Sequence, residues 1–377
     1  MPSAYPKPTP HRHVSWPLAA GGRPLSTGGR PLWPLLAATA TVAMLAACSS
    51  GQAAEATSSR RMMGVGWLVT VHADSVDEAA AAGEAALDRV AAIERVLSDY
   101  DRQSEVSQLM AATAASPGQP FPISDDLAAT LQRSFALTEQ TGGAFDVTVG
   151  PLTVLWRQAR KTGRLPNPEK LAAAMAASGR SAVTLHEETA EVRASMKHAD
   201  TRLDFGGIGM GYAIDAAMAL LADRGIASAM IDASGDIAVS GPPPGRDHWR
   251  IAVPPLRRRQ AAATSQPDET PTLALVHAAV ATSGDAYQAV MIDGVRYSHI
   301  VDPRTGLGVV GPTAVTVIAA DATTADALST ATSVLGPADG LAMIEGMEGA
   351  AARFSWVESN RLQVQASARW AAFLERP

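Results

Sequence analysis

A glycine-rich segment, Asp204-Phe-Gly-Gly-Ile-Gly-Met-Gly-Tyr212, could bind an anion through its backbone. Glycines let a ligand approach the main chain closely, and the unpaired amides at a helix start favour a group such as a pyrophosphate. The spacing is neither that of a P-loop nor that of the dinucleotide fingerprint after a first strand. A tightly packed turn explains the segment as well as an anion site does.

Asp326 and Thr330 lie four residues apart, on one face of a predicted helix over 323–335. One carboxylate and one hydroxyl, joined by a backbone carbonyl and substrate phosphates, suit Mg²⁺, which needs few protein ligands. Taken alone, this pair is explained better by the helix dipole, which favours an acidic residue in the first turn.

His299 and Asp302 flank a predicted strand end, and Pro303 enforces a turn before Arg304. A histidine or carboxylate here could accept a proton, and the guanidinium could bind a phosphate with two hydrogen bonds. A single histidine near a strand is more often structural than catalytic.

The segment Thr141-Gly-Gly-Ala-Phe-Asp146 combines a helix stop, an aromatic ring and a carboxylate. It predicts either a turn with a buried Phe145 or a platform for a flat ring.

The elements that would position these residues alternate between strands and helices, with hairpin-like strand pairs among them, which favours an α+β fold. Helices are predicted over 76–97, 124–141, 168–177, 212–224 and 323–335. Strands are predicted over 67–72, 183–186, 190–193, 229–232, 249–253, 289–292 and 314–319, and an exposed insertion loop over 254–271.

The composition supports a folded body and does not indicate nucleic acid binding. The chain has 377 residues, of which 47% are hydrophobic, and its net charge is −6. The short run Arg257-Arg258-Arg259 does not form the extended basic surface that binds the phosphate backbone of a nucleic acid.

The only cysteine, Cys48, ends the sequence Leu-Ala-Ala-Cys after an apolar run from Trp33 that is too short for a confident membrane span. This pattern resembles the bacterial lipobox. It predicts a leader over 1–47, a lipidated Cys48 with a flexible tether over 48–60, and a folded domain over 61–377. A buried free cysteine is the alternative.

Taken in order, the motifs resemble the ApbE family of FAD:protein FMN transferases. The resemblance extends over residues 61–340. Its most specific parts are Ser298-His-Ile-Val-Asp-Pro-Arg-Thr-Gly306 and Ala325-Asp-Ala-Leu-Ser-Thr-Ala331. It implies an α+β fold of mixed sheets with packed helices, forming a single catalytic body of two intimately joined subdomains.

The resemblance also implies an activity and a site. The protein would be a Mg²⁺-dependent enzyme that moves FMN from FAD onto a Thr or Ser hydroxyl of a target flavoprotein, releasing AMP. A lipid anchor at Cys48 would hold it on the periplasmic face of a bacterial membrane. The implied magnesium ligands are Gly207, Asp326 and Thr330. The implied FAD-binding residues are Met63, Tyr100, Ala144, Phe145, Asp146, Asp204, Met210, Ile300 and Ser329, and the catalytic candidates are His299 and Asp302.

Two positions depart from the family pattern. Met210 stands where a lysine or another charged residue is usual, and Ser234 where glycine is usual. The missing charge removes one possible contact to the cofactor, so a non-catalytic FAD-binding lipoprotein is one alternative function. A metal-dependent FAD pyrophosphatase, in which water replaces the acceptor hydroxyl, is another.

Overall fold

The computed structural model describes residues 53–187, 191–256, 270–284, 289–359 and 361–376. Residues 51–377 group as one unit. Its helices are α1 (Val76–Leu97), α2 (Glu105–Ala115), α3 (Asp125–Gln140), α4 (Gly150–Thr162), α5 (Pro168–Ala176), α6 (Gly209–Asp223) and α7 (Ala322–Glu345). Its strands are β1 (Ala54–Met62), β2 (Val65–Ala73), β3 (Phe121–Pro122), β4 (Val183–His186), β5 (Arg193–Met196), β6 (Ser228–Ala233), β7 (Asp236–Val239), β8 (Trp249–Ala252), β9 (Thr272–Leu275), β10 (Ala278–Gly284), β11 (Ala289–Ile292), β12 (Val295–Val301), β13 (Gly308–Val310), β14 (Thr313–Ala319), β15 (Ala351–Glu358) and β16 (Arg361–Ala366).

The largest sheet is antiparallel and has the strand order β1-β2-β6-β7-β10-β14-β15-β16. Helices α1, α6 and α7 pack together against it. Their shared core contains Trp67, Val90, Ile214, Val317 and Leu328. A second core forms around Trp249 of β8 and includes Val280 and Ile318 from the large sheet. Two three-stranded sheets, β11-β12-β13 and β3-β5-β4, and the two-stranded sheet β8-β9 complete the described sheets, and the α+β class predicted from the sequence is confirmed.

Helix α1 shows how the sequence specifies these elements. Ser75 caps its first turn by accepting a hydrogen bond from the amide of Glu78 at 3.2 Å. Small and apolar residues recur on its buried face, ending at Leu97. The predicted range 76–97 is confirmed.

Several elements differ from the predictions. The chain enters the sheet at Ala54 rather than near Arg61, so residues 54–60 belong to β1 and are not a tether. The short strand predicted over 190–193 lies instead at β5, and residue 190 is outside the described residues. Helix α7 continues past Leu335 to Glu345, with a kink where Gly336 has φ 80° and ψ 178°.

Helices α2 and α4 were not predicted. Ser104 caps the first turn of α2, and Gly150-Pro151 begins α4. The predicted insertion loop falls largely on residues 257–269, which lie outside the described residues, as does Cys48. In the described part of the chain, no helix combines the length and apolarity that crossing a membrane requires.

Candidate functional site

A cavity of about 720 Å³ lies where the end of α1, helix α4, the first turns of α6 and α7, and strand β12 meet. It collects most of the residues implied by the resemblance. Those that line it are Met63, Tyr100, Ala144, Phe145, Asp146, Asp204, Gly207, Met210, His299, Ile300, Asp326 and Thr330.

The glycine turn before α6 packs directly on the first turns of α7. A Cβ placed on Gly207 would lie 2.7 Å from the hydroxyl oxygen of Thr330, so only glycine fits there without a shift. The amide of Gly211 donates a hydrogen bond to Oδ2 of Asp326 at 3.2 Å. The structure therefore brings Gly207, Asp326 and Thr330 together, and the segment is both a tight turn and a cavity wall.

Asp215 of α6 holds the start of α7 in place. Its carboxylate accepts hydrogen bonds from the amides of Ala322 and Thr323, both at 2.8 Å, and from the Thr323 hydroxyl. These amides have no partner within α7, so the contact caps that helix. Burial raises the pKa of Asp215 despite the hydrogen bonds that lower it. Because it ties α6 to α7, Asp215 supports the position of Asp326.

Asp236, at the start of β7, is a second buried carboxylate in the cavity and was given no role from the sequence. Asp236 is 7% exposed and Asp326 is 4% exposed. Burial, with repulsion from Asp232, raises the pKa of Asp236 to about 7, although a bond from the amide of Thr282 lowers it. Burial, followed by the charge of Asp236, raises the pKa of Asp326 well above its usual range. A cation between them would offset this repulsion.

The donor atoms around this pair fit Mg²⁺. The cavity-lining residues Asp326, Asp236 and Thr330 carry carboxylate and hydroxyl oxygens, and Gly207 carries a backbone carbonyl; hard oxygen ligands of this kind are what Mg²⁺ prefers. Across the described ranges, no group of three or more His, Cys, Asp or Glu side chains gathers as a metal site.

Arg157 of α4 also lines the cavity, and no sequence motif indicated a role for it because α4 itself was not predicted. Its guanidinium contacts Asp99 at 2.7 Å and Asp204 at 3.1 Å. It also lies 4.7 Å from the ring centroid of Tyr100. The Thr153 hydroxyl donates to the same oxygen of Asp204 at 2.8 Å. An amphipathic pattern after Gly150-Pro151 was the available signal for α4.

The turn after α3 contributes buried residues. Phe145 is 4% exposed and Ala144 is 1% exposed, so the phenyl ring belongs to the core and only borders the cavity. Asp146 accepts hydrogen bonds from the amide and hydroxyl of Thr148 at 2.8 and 2.7 Å. Burial raises the pKa of Asp146 although these bonds lower it. The exposed aromatic ring at this site is that of Tyr100, at 79%.

Strand β12 separates the two catalytic candidates. His299 and Ile300 line the cavity, whereas Asp302 lines a different cleft of about 330 Å³ beside β13 and the kink of α7. The carboxylate of Asp302 accepts hydrogen bonds from the amide of Arg304 at 2.9 Å and from its guanidinium at 3.0 Å. Asp302 thus stabilises the turn. The guanidinium of Arg304 binds the carboxylate of Asp302 and does not line the cavity.

Three further predicted residues occupy the edges of the site. Ser329 is buried behind the wall, where its hydroxyl lies 2.6 Å from that of Ser283. Met63 has φ 49°, and its amide donates to Glu94 at 2.7 Å. Met210 is half-buried and lines the cavity with an apolar side chain.

The cavity is acidic overall. Its charged lining residues are the acids Glu94, Asp99, Asp146, Asp204, Asp236 and Asp326, and the bases Arg157 and Arg160. An anionic ligand would be repelled from such a wall unless cations accompanied it. This charge balance favours a metal-accompanied phosphate ligand.

Comparisons with known proteins agree on one family. The ApbE family model matches residues 63–354. The chain is 32% identical to the FAD:protein FMN transferase of Vibrio cholerae over 254 residues, covering 66% of this chain and 72% of that protein. It is 27% identical to the Escherichia coli FAD:protein FMN transferase over 280 residues, covering 74% and 77%. The apo crystal structure of Pseudomonas stutzeri flavinyl transferase ApbE superposes with a TM-score of 0.73 at 30% identity, covering 86% of this chain and 98% of that one.

Proposed function

The chain belongs to the ApbE family, and we propose that it is an FAD:protein FMN transferase that attaches FMN to a Thr or Ser hydroxyl of a target flavoprotein and releases AMP. The observation that carries this proposal is the contact of the Gly207 turn with Thr330, beside the buried Asp326, in a large acidic cavity. The names of the relatives support the proposed reaction, and the geometry of the cavity supports its proposed site.

Mg²⁺, when bound, would offset the negative charge of the FAD pyrophosphate as one of its P–O bonds breaks. Asp326, Thr330 and the carbonyl of Gly207 are the proposed ligands, and Asp236 adds a fourth oxygen donor. Asp215 and Gly211 keep the ligands in position by joining α6 to α7. Such phosphoryl-type chemistry asks a protein chiefly for positioning and charge balance.

His299 is the proposed proton acceptor. The acceptor hydroxyl attacks the FMN-side phosphorus, a new phosphoester bond forms, and the bond to the AMP oxygen breaks. The hydroxyl proton passes to an imidazole nitrogen. His299 lines the cavity and Asp302 does not, which supports His299 over Asp302 for this role.

The proposed location is the periplasmic face of a bacterial membrane, with a lipid anchor at Cys48. The support is the Leu-Ala-Ala-Cys sequence after an apolar run. A target flavoprotein at the same membrane would then be within reach of a surface-bound enzyme.

Incubating the purified protein with FAD, MgCl₂ and the FMN-free form of a flavoprotein domain whose acceptor residue is a threonine tests the function. We expect the mass of FMN to appear on the acceptor, with one AMP released per transfer, and no transfer when EDTA replaces MgCl₂. Free FMN with AMP would instead establish a pyrophosphatase. Unchanged FAD that remains bound would establish a flavin-binding lipoprotein.

A further inference from the structure

We propose that Arg157 is a positioning residue that fixes Tyr100 and Asp204 so that Tyr100 can stack on the flavin ring. The proposal rests on FAD being the ligand of this cavity and concerns α4, which carries none of the motifs quoted for the family resemblance. Arg157 acts through its neighbours in this account rather than on the reacting atoms.

The contacts of Arg157 join three segments that are distant in the sequence. One guanidinium nitrogen contacts Asp99 at 2.7 Å, just after α1, and another contacts Asp204 at 3.1 Å, before the glycine turn. Asp204 also accepts a bond from the amide of Gly206 at 2.9 Å. The planar fork of arginine can hold two carboxylates at once, which a lysine ammonium does less well.

Because this cluster is partly buried, the charges of its members interact more strongly than they would in water. The side chains of Arg157, Asp99 and Asp204 are 28%, 18% and 12% exposed. Burial, then repulsion from Asp204, raises the pKa of Asp99, although Arg157 lowers it. Burial acts to lower the pKa of Arg157, but the charges of Asp204 and Asp99 outweigh it and raise that pKa. Without the guanidinium, two buried carboxylates would repel each other across the cavity wall.

Among the described residues, Arg157 is the one that contacts the face of the Tyr100 ring. The side chain of Tyr100 is 79% exposed, and the guanidinium lies 4.7 Å from its ring centroid. A cation over one face of an aromatic ring restrains the ring by a cation–π contact. The other face is then available for offset stacking with a flat ring, and FAD supplies one in its isoalloxazine.

The test compares Arg157→Met and Arg157→Lys with Lys161→Met, a matched loss of charge on an exposed residue of the same helix. FAD binding is titrated with MgCl₂ present, by the quenching of flavin fluorescence that stacking on tyrosine produces. We expect Arg157→Met to weaken binding about tenfold and to reduce the quenching at saturation. Arg157→Lys should recover part of both, and Lys161→Met should match the wild type.

A double-variant cycle with Tyr100→Leu separates positioning from general destabilisation. If Arg157 acts through Tyr100, Arg157→Met should lower quenching no further in the Tyr100→Leu background. If the two substitutions lowered the quenching by fully additive amounts, the proposal would be overturned. Wild-type quenching in the Arg157→Met variant saturated with FAD would also overturn it. A wild-type protein that bound FAD but transferred no FMN would remove the proposed function and leave this role of Arg157 standing.

Discussion

At the scale of single residues, the carboxylates of Asp326 and Asp236 set the chemistry of the site. Both are buried in the cavity wall, and burial raises the pKa of each, with the charge of Asp236 adding to the rise at Asp326. Proteins keep such pairs where a cation or a shared proton relieves the repulsion. The predictions at this scale concern the cation and the shared proton in turn.

Replacing Asp326 with Asn should abolish magnesium-dependent transfer without unfolding the protein. Asparagine preserves the shape and can still accept the bond from Gly211, but it supplies no charge to the metal. We expect the transfer rate to fall by at least about a hundredfold. The melting temperature of the metal-free variant should not drop, because a buried charge has been removed.

Initial rates of FMN attachment and thermal melts check this prediction. Asp125→Asn, which alters an exposed carboxylate in the first turn of α3, is the control. Transfer by Asp326→Asn at the wild-type rate would exclude Asp326 as a metal ligand.

The stability of the metal-free protein should fall as pH rises from about 4 to above 7. The pKa of Asp236 is raised to about 7 in the folded state, from an ordinary value of 3.8. In that window the folded state holds a proton that the unfolded state has lost, so stability decreases with pH. Mg²⁺ should stabilise the protein more at pH 8 than at pH 5.5, because protons compete with it.

Melting temperatures in EDTA and in MgCl₂ at the two pH values test this linkage. Asp236→Asn removes one titrating group and should flatten the dependence. An equal pH dependence in Asp236→Asn and wild type would show that this carboxyl does not contribute.

At the scale of elements, the decisive contact is between the first turns of α6 and α7. A Cβ on Gly211 would overlap the carbonyl group of Ala322, whereas one on Gly209 would meet its nearest atom, Cβ of Phe205, at 3.4 Å. The close approach allows the Gly211 amide to reach Asp326. Two helix starts therefore lie against each other only because glycine stands at this position.

Gly211→Ala should separate these helices and destabilise the protein by about 1–3 kcal/mol, the usual cost of overpacking. Gly209→Ala should leave the free energy of unfolding unchanged or increase it by up to about 1 kcal/mol, because alanine favours helix. Urea denaturation measures both variants. Equal stability of the two would mean that the helices can move apart at no cost.

At the scale of the whole molecule, inner strands of the large sheet, including β7 and β10, contribute residues to the cavity together with α1, α4, α6 and α7. The body begins with β1 at Ala54, so only a few residues separate Cys48 from the sheet.

Cys48→Ala should release the protein from the membrane fraction of the native cells while leaving FMN transfer by the purified protein intact. Membrane fractionation and labelling with a radioactive fatty acid measure anchoring and lipidation, and the rate of FMN attachment to the acceptor measures transfer. Equal membrane association and labelling of wild type and Cys48→Ala would contradict lipidation at this residue.

The sequence by itself determined the α+β class, the ranges of α1, α3 and α5, and the family. These depend on local signals: caps such as Ser75 and Ser124, helical spacing of apolar residues, and motifs short enough to be recognised in order. The pairing of Asp326 with Thr330 was also local, because residues four apart on a helix share a face.

Only the tertiary structure decided which distant residues meet. Asp236 joins Asp326 because antiparallel strands and α7 come together, and Arg157 reaches Asp99 and Asp204 because α4 crosses the cavity. It also placed Asp302 in a turn beside a different cleft. Contacts between residues far apart in sequence arise from packing, which no local pattern of residue types records.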